Sequence, residues 1–95
     1  MSTALTATAE VATERPAAYM RQLCRHFGHR VPASFDDDSG EVSFEAGRLD
    51  LSAHDGFLRL KVSAADEDSL RRLRDVVGSH LERFGRRDGL AVEWS

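Results

Sequence analysis

The sequence predicts an α+β domain, a two-layer sandwich in which two helices cover one face of a mostly antiparallel sheet of five or six strands. Six short segments alternate apolar and polar residues, as strands with one buried face do. Two further segments repeat apolar residues at helical spacing. Their order along the chain is β-α-β-β-β-β-α-β. The length of 95 residues suits one domain, residues 1–95.

The first half of the chain predicts a strand, a helix and a short edge strand. The first strand has apolar residues at alternate positions, Leu5, Ala7, Ala9 and Val11. Pro16 is tolerated in a first helical turn, so a helix capped by Thr13 is expected to begin there and to end at Gly28. Its apolar stripe is Tyr19, Met20, Leu23 and Phe27. Pro32 cannot donate a ladder hydrogen bond, so the strand around Val31, Ala33 and Phe35 should lie at an edge.

The second half predicts three strands, a helix and a closing strand. The apolar positions of the three strands are Val42, Phe44 and Ala46, then Leu49, Leu51 and Ala53, then Leu58, Leu60, Val62 and Ala64. Asp55-Gly56 favours a tight hairpin in which both central residues have positive φ, so the last two strands should pair. Asp66 is the expected cap of the second helix. That helix carries the stripe Leu70, Leu73, Val77, Leu81 and Phe84, and Leu90, Val92 and Trp94 predict a closing strand.

Composition argues against several classes of function. The net charge of −3 and the isoelectric point near 5.7 do not favour a nucleic-acid binder. The polar face of the predicted sheet also lacks the aromatic residues on which RNA bases stack. No apolar run approaches the roughly 18 residues of a membrane-spanning helix. Because Cys24 is the single cysteine and no leader pattern precedes it, we expect a cytoplasmic protein.

Histidines near the end of the first helix and within the second are candidate metal ligands. His26 and His29 project about 60° apart on a helix, whereas Cys24 and His26 project about 160° apart and cannot share an ion while the helix is intact. A site made by His26, His29 and His80 therefore requires unwinding near the end of the helix, or a second chain. The alternative is that Cys24 and the histidines flank the apolar stripes as boundary residues, with the cysteine acting as a small buried hydrophobe.

The sequence offers little support for catalysis. Cys24 lies in the middle of a helix, whereas activated thiolates are commoner at helix N-termini or beside a cation. No glycine-rich phosphate loop, Ser/His/Asp arrangement or carboxylate pair in an apolar setting is apparent. We therefore expect no catalytic residues and no enzymatic activity.

Two segments, Arg15 to His29 and Val76 to Phe84, resemble a bacterial family known as domain of unknown function 2218, and Gly85 to Trp94 fits it too. The family's motif residues map onto Cys24, His26, Phe27, His80, Arg83 and Phe84. The resemblance implies a stand-alone small protein, or a domain attached to flavin-dependent siderophore-interacting reductases. Such a reductase is thus the expected partner, and an accessory role in iron-siderophore handling the implied setting.

The sequence favours a non-catalytic interaction or small-ligand domain, with a pocket between the helices and the sheet. Its candidate ligand-binding residues are Tyr19, Cys24, His26, His80, Arg83 and Trp94. The alternative is a metal-binding protein that uses His26, His29 and His80, and no other cofactor is expected. An oligomerising structural domain is a third hypothesis, with monomer and homodimer both open.

Overall fold

A computed structural model describes residues 4–95. The elements are β1 (Leu5–Ala12), α1 (Pro16–Gly28), β2 (Ala33–Phe35), β3 (Ser39–Ser43), β4 (Gly47–His54), β5 (Phe57–Ala64) and α2 (Glu67–Phe84), followed by a 3-10 turn, Arg86–Asp88. The five strands form one antiparallel sheet in the order β1-β5-β4-β3-β2. Both helices pack on one face of it, which confirms the fold class. The strand after Pro32 lies at an edge, as expected.

The core lies between the helices and the buried face of the sheet. The strand register aligns apolar residues across the sheet: Leu60 of β5 lies between Ala9 of β1 and Leu51 of β4, and all three are buried. The helices bury most of the stripes that the sequence predicts, which are Tyr19, Met20, Leu23 and Phe27 of α1 and Leu70, Leu73, Val77 and Leu81 of α2. Phe84, the last residue of the predicted α2 stripe, is only partly buried, and Cys24, predicted to flank the α1 stripe, is fully buried. Alternate residues of the strands point away from the helices, so the opposite face of the sheet is polar.

The predicted hairpin and the cap of α2 are both present. His54 and Phe57 pair on either side of Asp55-Gly56, which joins β4 to β5. Gly56 has φ +83°, and no non-glycine residue among residues 4–95 has positive φ. This is the sign pattern of a type II turn, not of the expected type I′ turn. The Asp66 side chain accepts a hydrogen bond of 2.8 Å from the backbone N–H of Ser69.

The start of α1 differs from the prediction. Arg15, not Thr13, is the residue before the first helical turn, and no side chain caps that turn. The Thr13 hydroxyl instead accepts a hydrogen bond of 3.0 Å from the Arg15 backbone N–H. Thr13 is too far upstream to reach the free N–H groups of the helix, and it shapes the entry loop instead.

The predicted closing strand is wrong. Residues 90–95 form no strand, although Ser95 and Thr8 of β1 exchange two backbone hydrogen bonds of 2.9 and 3.3 Å. The apolar side chains of Val92 and Trp94 lie beside Gly78 of α2, where a Cβ atom would stand 3.3 Å from Trp94 Nε1. The alternation therefore reflects packing against a helix. Within residues 4–95, neither helix is both long enough and apolar enough to cross a membrane.

Candidate functional site

Two histidines meet where the last turn of α1 approaches the middle of α2. The ring centroids of His26 and His80 are 4.9 Å apart. Phe84 lies 5.4 Å from His26, and Phe27 lies 5.2 Å from His80, measured between centroids. Phe44, just after β3, packs edge-on against Phe27 at 5.0 Å. The two helices and one loop thus build a cluster of imidazole and phenyl rings.

A cavity of about 560 Å³ opens beside these rings. We call it the His26/His80 cavity, and its lining is His26, Phe27, His29, Arg30, Val31, Phe44, Val76 and His80. Half of these side chains are apolar and half are basic. The cavity therefore offers an apolar wall and a basic rim to whatever enters it.

Local sequence explains how the lining is positioned. Val76 and His80 are four residues apart, so they lie on the same face of α2. The Phe44 backbone exchanges hydrogen bonds with Gly47 in a tight turn, which holds Phe44 at the end of β3. Arg30 and Val31 follow α1 directly, and their backbone N–H groups both bond to the Phe27 carbonyl. The rim is therefore fixed to the end of the helix.

One hydrogen bond decides which nitrogen His80 can present. Its Nδ1 lies 2.6 Å from the Val76 carbonyl oxygen, which can only accept. Nδ1 must therefore carry the proton, and in the neutral ring Nε2 keeps a lone pair. Nε2 is the nitrogen of His80 that can accept a hydrogen bond from a ligand, or donate one once protonated.

The pKa of His26 is lowered from its ordinary value of 6.5. Partial burial is the largest cause, followed by the positive charges of His80, His29, Arg30 and Arg83. Each of these causes disfavours the imidazolium form. His26 is thus neutral at pH 7, among basic groups contributed by both helices.

The structure brings three of the predicted ligand-binding residues together and excludes Cys24. His26 and His80 are in contact, and Arg83 is close enough to act on the charge of His26. Cys24 is 1% exposed, and its Sγ lies 2.8 Å from where a Gly40 Cβ atom would stand. Burial raises the pKa of its thiol to about 11. Cys24 is a core residue at the α1–β3 contact and not a ligand.

Tyr19 and Trp94 are also absent from the cavity, contrary to the predicted pocket. The Tyr19 hydroxyl donates to the Asp88 carboxylate, which accepts a second bond of 2.9 Å from Arg15, at the opposite end of α1. Trp94 lies beside Gly78, and Gly78 projects about 160° away from His80 on α2. Helix α2 therefore separates Trp94 from the histidines.

The predicted metal site does not form. Within the described chain, residues 4–95, no three His, Cys, Asp or Glu side chains are arranged to hold a metal ion. His29 lies just past α1, and its backbone N–H bonds back to His26. The helix does not unwind, as a shared site with His26 and His80 would require.

Sequence reasoning missed four lining residues. The alternation of apolar and polar residues predicts that Phe44 belongs to a strand and Val31 to an edge strand. Val76 falls outside the apolar stripe of α2, and Arg30 follows a helix end where basic residues are common. A signal for Val76 was available, because it is an apolar residue off the stripe and four residues before a histidine.

Comparisons with known proteins agree with the fold and name no activity. The family model described as "Uncharacterized protein conserved in bacteria (DUF2218)" matches residues 8–95. The chain is similar to the NMR structure of PA4090 from Pseudomonas aeruginosa, with 31% sequence identity and a TM-score of 0.79. That match covers 95% of this chain and 94% of the other. No curated protein matches the chain.

Proposed function

The chain belongs to the DUF2218 family of bacterial proteins, and from that premise we propose that it is a non-catalytic domain that binds a small molecule in the His26/His80 cavity. One observation carries the proposal. The lining of a cavity of about 560 Å³ combines an apolar wall with imidazole and guanidinium groups. Sites for small molecules are typically concave, largely apolar and about 300–1,000 Å³ in volume, with a few polar groups that orient the ligand.

The solvent exposure of the cavity's lining residues supports a binding site and argues against a purely structural role for them. Val76 is 39% exposed although it is apolar, and His26 is exposed too. Side chains that serve only to stabilise the core are buried, as Leu81 on the same helix is. An exposed valine beside Phe44 and two imidazoles is an apolar surface that a ligand would cover.

The lining also favours binding over chemistry. The cavity residues, all within residues 4–95, include no serine, cysteine, aspartate or glutamate. The chain's one thiol is buried in the core. Imidazoles could move a proton, but the lining offers no nucleophile to accompany them.

A role in iron-siderophore handling, beside a flavin-dependent reductase in the cytoplasm, is the narrower form of this proposal. It rests on the family resemblance. Siderophores with aromatic groups would suit the apolar wall of Phe27 and Phe44. Such a molecule therefore belongs among the first ligands to be tested.

An NMR titration with two matched variants tests the proposal. A set of small aromatic and heteroaromatic compounds, with the diamagnetic gallium(III) complex of a catecholate siderophore as one member, would be added to ¹⁵N-labelled protein. We expect binders to shift the amide signals of residues 26–31, 44 and 76–80. Val76→Trp should fill the cavity and abolish these shifts. Leu5→Trp enlarges another apolar residue of similar exposure, 37% against 39%, and should leave them unchanged.

The outcomes separate the hypotheses. Binding that Val76→Trp removes and Leu5→Trp retains supports the cavity. Shifts that map to another surface, or that survive Val76→Trp, would contradict it. The absence of any binder in the set would favour the structural-domain hypothesis. Equal melting temperatures of the two variants would show that both remain folded.

A further inference from the structure

We infer that the ligand of the His26/His80 cavity is an organic anion with a flat apolar body, such as an aromatic carboxylate or sulfonate. The inference rests on the proposed function and goes further, because it names the chemical class of the ligand. It is carried by two features of the same cavity, a cluster of basic side chains without acidic partners and a wall of phenyl rings.

The basic cluster has no internal counter-charge. Four basic side chains line the cavity, which are His26, His29, Arg30 and His80, and a fifth, Arg83, is close enough to lower the pKa of His26. The ion pairs formed among residues 4–95 are Arg15–Asp88, Arg48–Glu41, Arg48–Asp50 and Arg71–Asp68. None of them involves the cluster. Positive charge gathered in a concave site with apolar walls raises the local concentration of anions.

This cluster is not a by-product of a basic chain. The protein as a whole carries a net charge of −3. The acidic residues that form ion pairs lie elsewhere, at Asp88 after α2, on the outer face of the sheet and at the first turn of α2. Glu45 and Asp75 are the sequence neighbours of Phe44 and Val76, but neither lines the cavity. Two arginines without an ion-pair partner among residues 4–95, Arg30 and Arg83, and three histidines that can take up a proton therefore gather here in a chain of net negative charge.

Helix capping does not account for the basic residues. Basic side chains are common near helix C-termini because they interact with the last carbonyl groups. At the end of α1, backbone N–H groups already satisfy two of these carbonyls. His29 bonds to His26, while Arg30 and Val31 bond to Phe27. The Arg30 guanidinium is thus available for another partner.

The apolar wall restricts the anion to one that carries a hydrophobic body. Phe27 and Phe44 meet at 76°, and Val76 contributes a further apolar side chain to the lining. A bare inorganic anion would leave this wall in contact with water. A neutral aromatic molecule would leave the arginines unpaired. A flat apolar molecule with an acidic substituent would cover the phenyl wall and also pair with the arginines.

Proton uptake should accompany binding. The charged groups that act on His26 are His29 and Arg30 from its own helix end and His80 and Arg83 from α2, and each of them is basic. In the free protein, burial first and then these groups lower the pKa of His26 from 6.5. A bound anion opposes this effect and favours the imidazolium form. Affinity should therefore increase as the pH falls from neutral toward the lowered pKa of His26 in the free protein.

Two fluorescent probes of equal apolar body test the inference. Anilinonaphthalene sulfonate is anionic, and phenylnaphthylamine is the same molecule without the sulfonate. Each would be titrated into the folded protein at low salt, at pH 7.5 and pH 6. We expect the anionic probe to bind at least about tenfold more tightly, the scale of one charge-assisted hydrogen bond. Its affinity should rise at the lower pH and fall with added salt.

Matched variants test whether the basic cluster causes the difference in affinity between the two probes. Arg30→Gln and Arg83→Gln should each weaken the anionic probe by about threefold to tenfold and leave the neutral probe unchanged. Arg59→Gln removes an equal charge from an exposed position of β5, on the polar face of the sheet, and should change neither affinity. Unchanged melting temperatures would establish that the variants remain folded.

The outcomes distinguish this inference from the proposed function. If both probes bind equally and Val76→Trp displaces both, the cavity is a ligand site but the anion inference fails. If the anionic probe binds equally well to Arg30→Gln, Arg83→Gln and Arg59→Gln, the cluster does not recognise the charge and the inference is overturned. If Val76→Trp affects neither probe, both the site and the inference are wrong.

Discussion

The Cys24 thiol should react far more slowly in the folded protein than in the unfolded chain. Burial raises its pKa to about 11 from the ordinary value of 9.0. At pH 8, below both values, this difference of about two lowers the thiolate fraction by roughly 100-fold. Because the side chain is 1% exposed, a reagent must also wait for α1 to move away from the sheet. The expected retardation is therefore at least about 100-fold.

The measurement is the rate of alkylation by iodoacetamide, followed by intact mass at pH 8. The unfolded rate comes from the same protein in denaturing urea. A second control is Cys24→Ala combined with Ser79→Cys, which places the single cysteine on the exposed face of α2. That thiol should label at a rate close to the unfolded one. Native labelling of Cys24 within tenfold of either control would refute the burial argument and restore the cysteine as a candidate nucleophile.

Three other predictions concern stability. In Gly47→Ala the new methyl group would overlap the Ser63 carbonyl oxygen. We therefore expect the free energy of unfolding, measured by urea denaturation, to fall by about 3 kcal/mol or more. Gly28→Ala is the control, because its new methyl group would have its nearest neighbour at 3.5 Å and should change little. Trp94→Ala should lower the free energy of unfolding by about 2 kcal/mol, because a large, partly buried side chain loses its packing against the core. An unchanged melting temperature would show that the segment contributes nothing. Because the pKa of His26 is lower in the folded protein than in the unfolded chain, acidification below pH 6.5 should lower the melting temperature, and His26→Gln should flatten that fall.

Local signals explain why much of the fold could be predicted from the sequence. Asp55-Gly56 forms its turn within a few residues, and Asp66 caps α2 by a bond to a residue three positions away. The closing segment shows the limit of such patterns. A segment with alternating apolar residues can either pair as a strand or pack against a helix. Val92 and Trp94 pack against α2 because the fold places Gly78 of that helix beside them.

The candidate site could be predicted only in part. His26 and His80 each flank an apolar stripe, which marks them as residues near the seam between the helices. Their contact at 4.9 Å depends on how two helices cross the sheet, and no local pattern encodes that crossing. The same holds for Tyr19, which lies near the start of α1, away from the cavity, and bonds to Asp88. The spacing of residues on one helix indicates which side of the helix they lie on, but not which residues of another element they contact.

The pairing of Ser95 with Thr8 also affects how the sheet meets other molecules. β1 is an edge strand of eight residues, and strands at an edge offer backbone groups to which another chain can add. The Ser95 backbone forms hydrogen bonds with two of those groups, the N–H and the carbonyl of Thr8, near the middle of the strand. Removing residues 91–95 would expose this edge, and the expected result is self-association that grows with protein concentration, with β1 as the junction between copies.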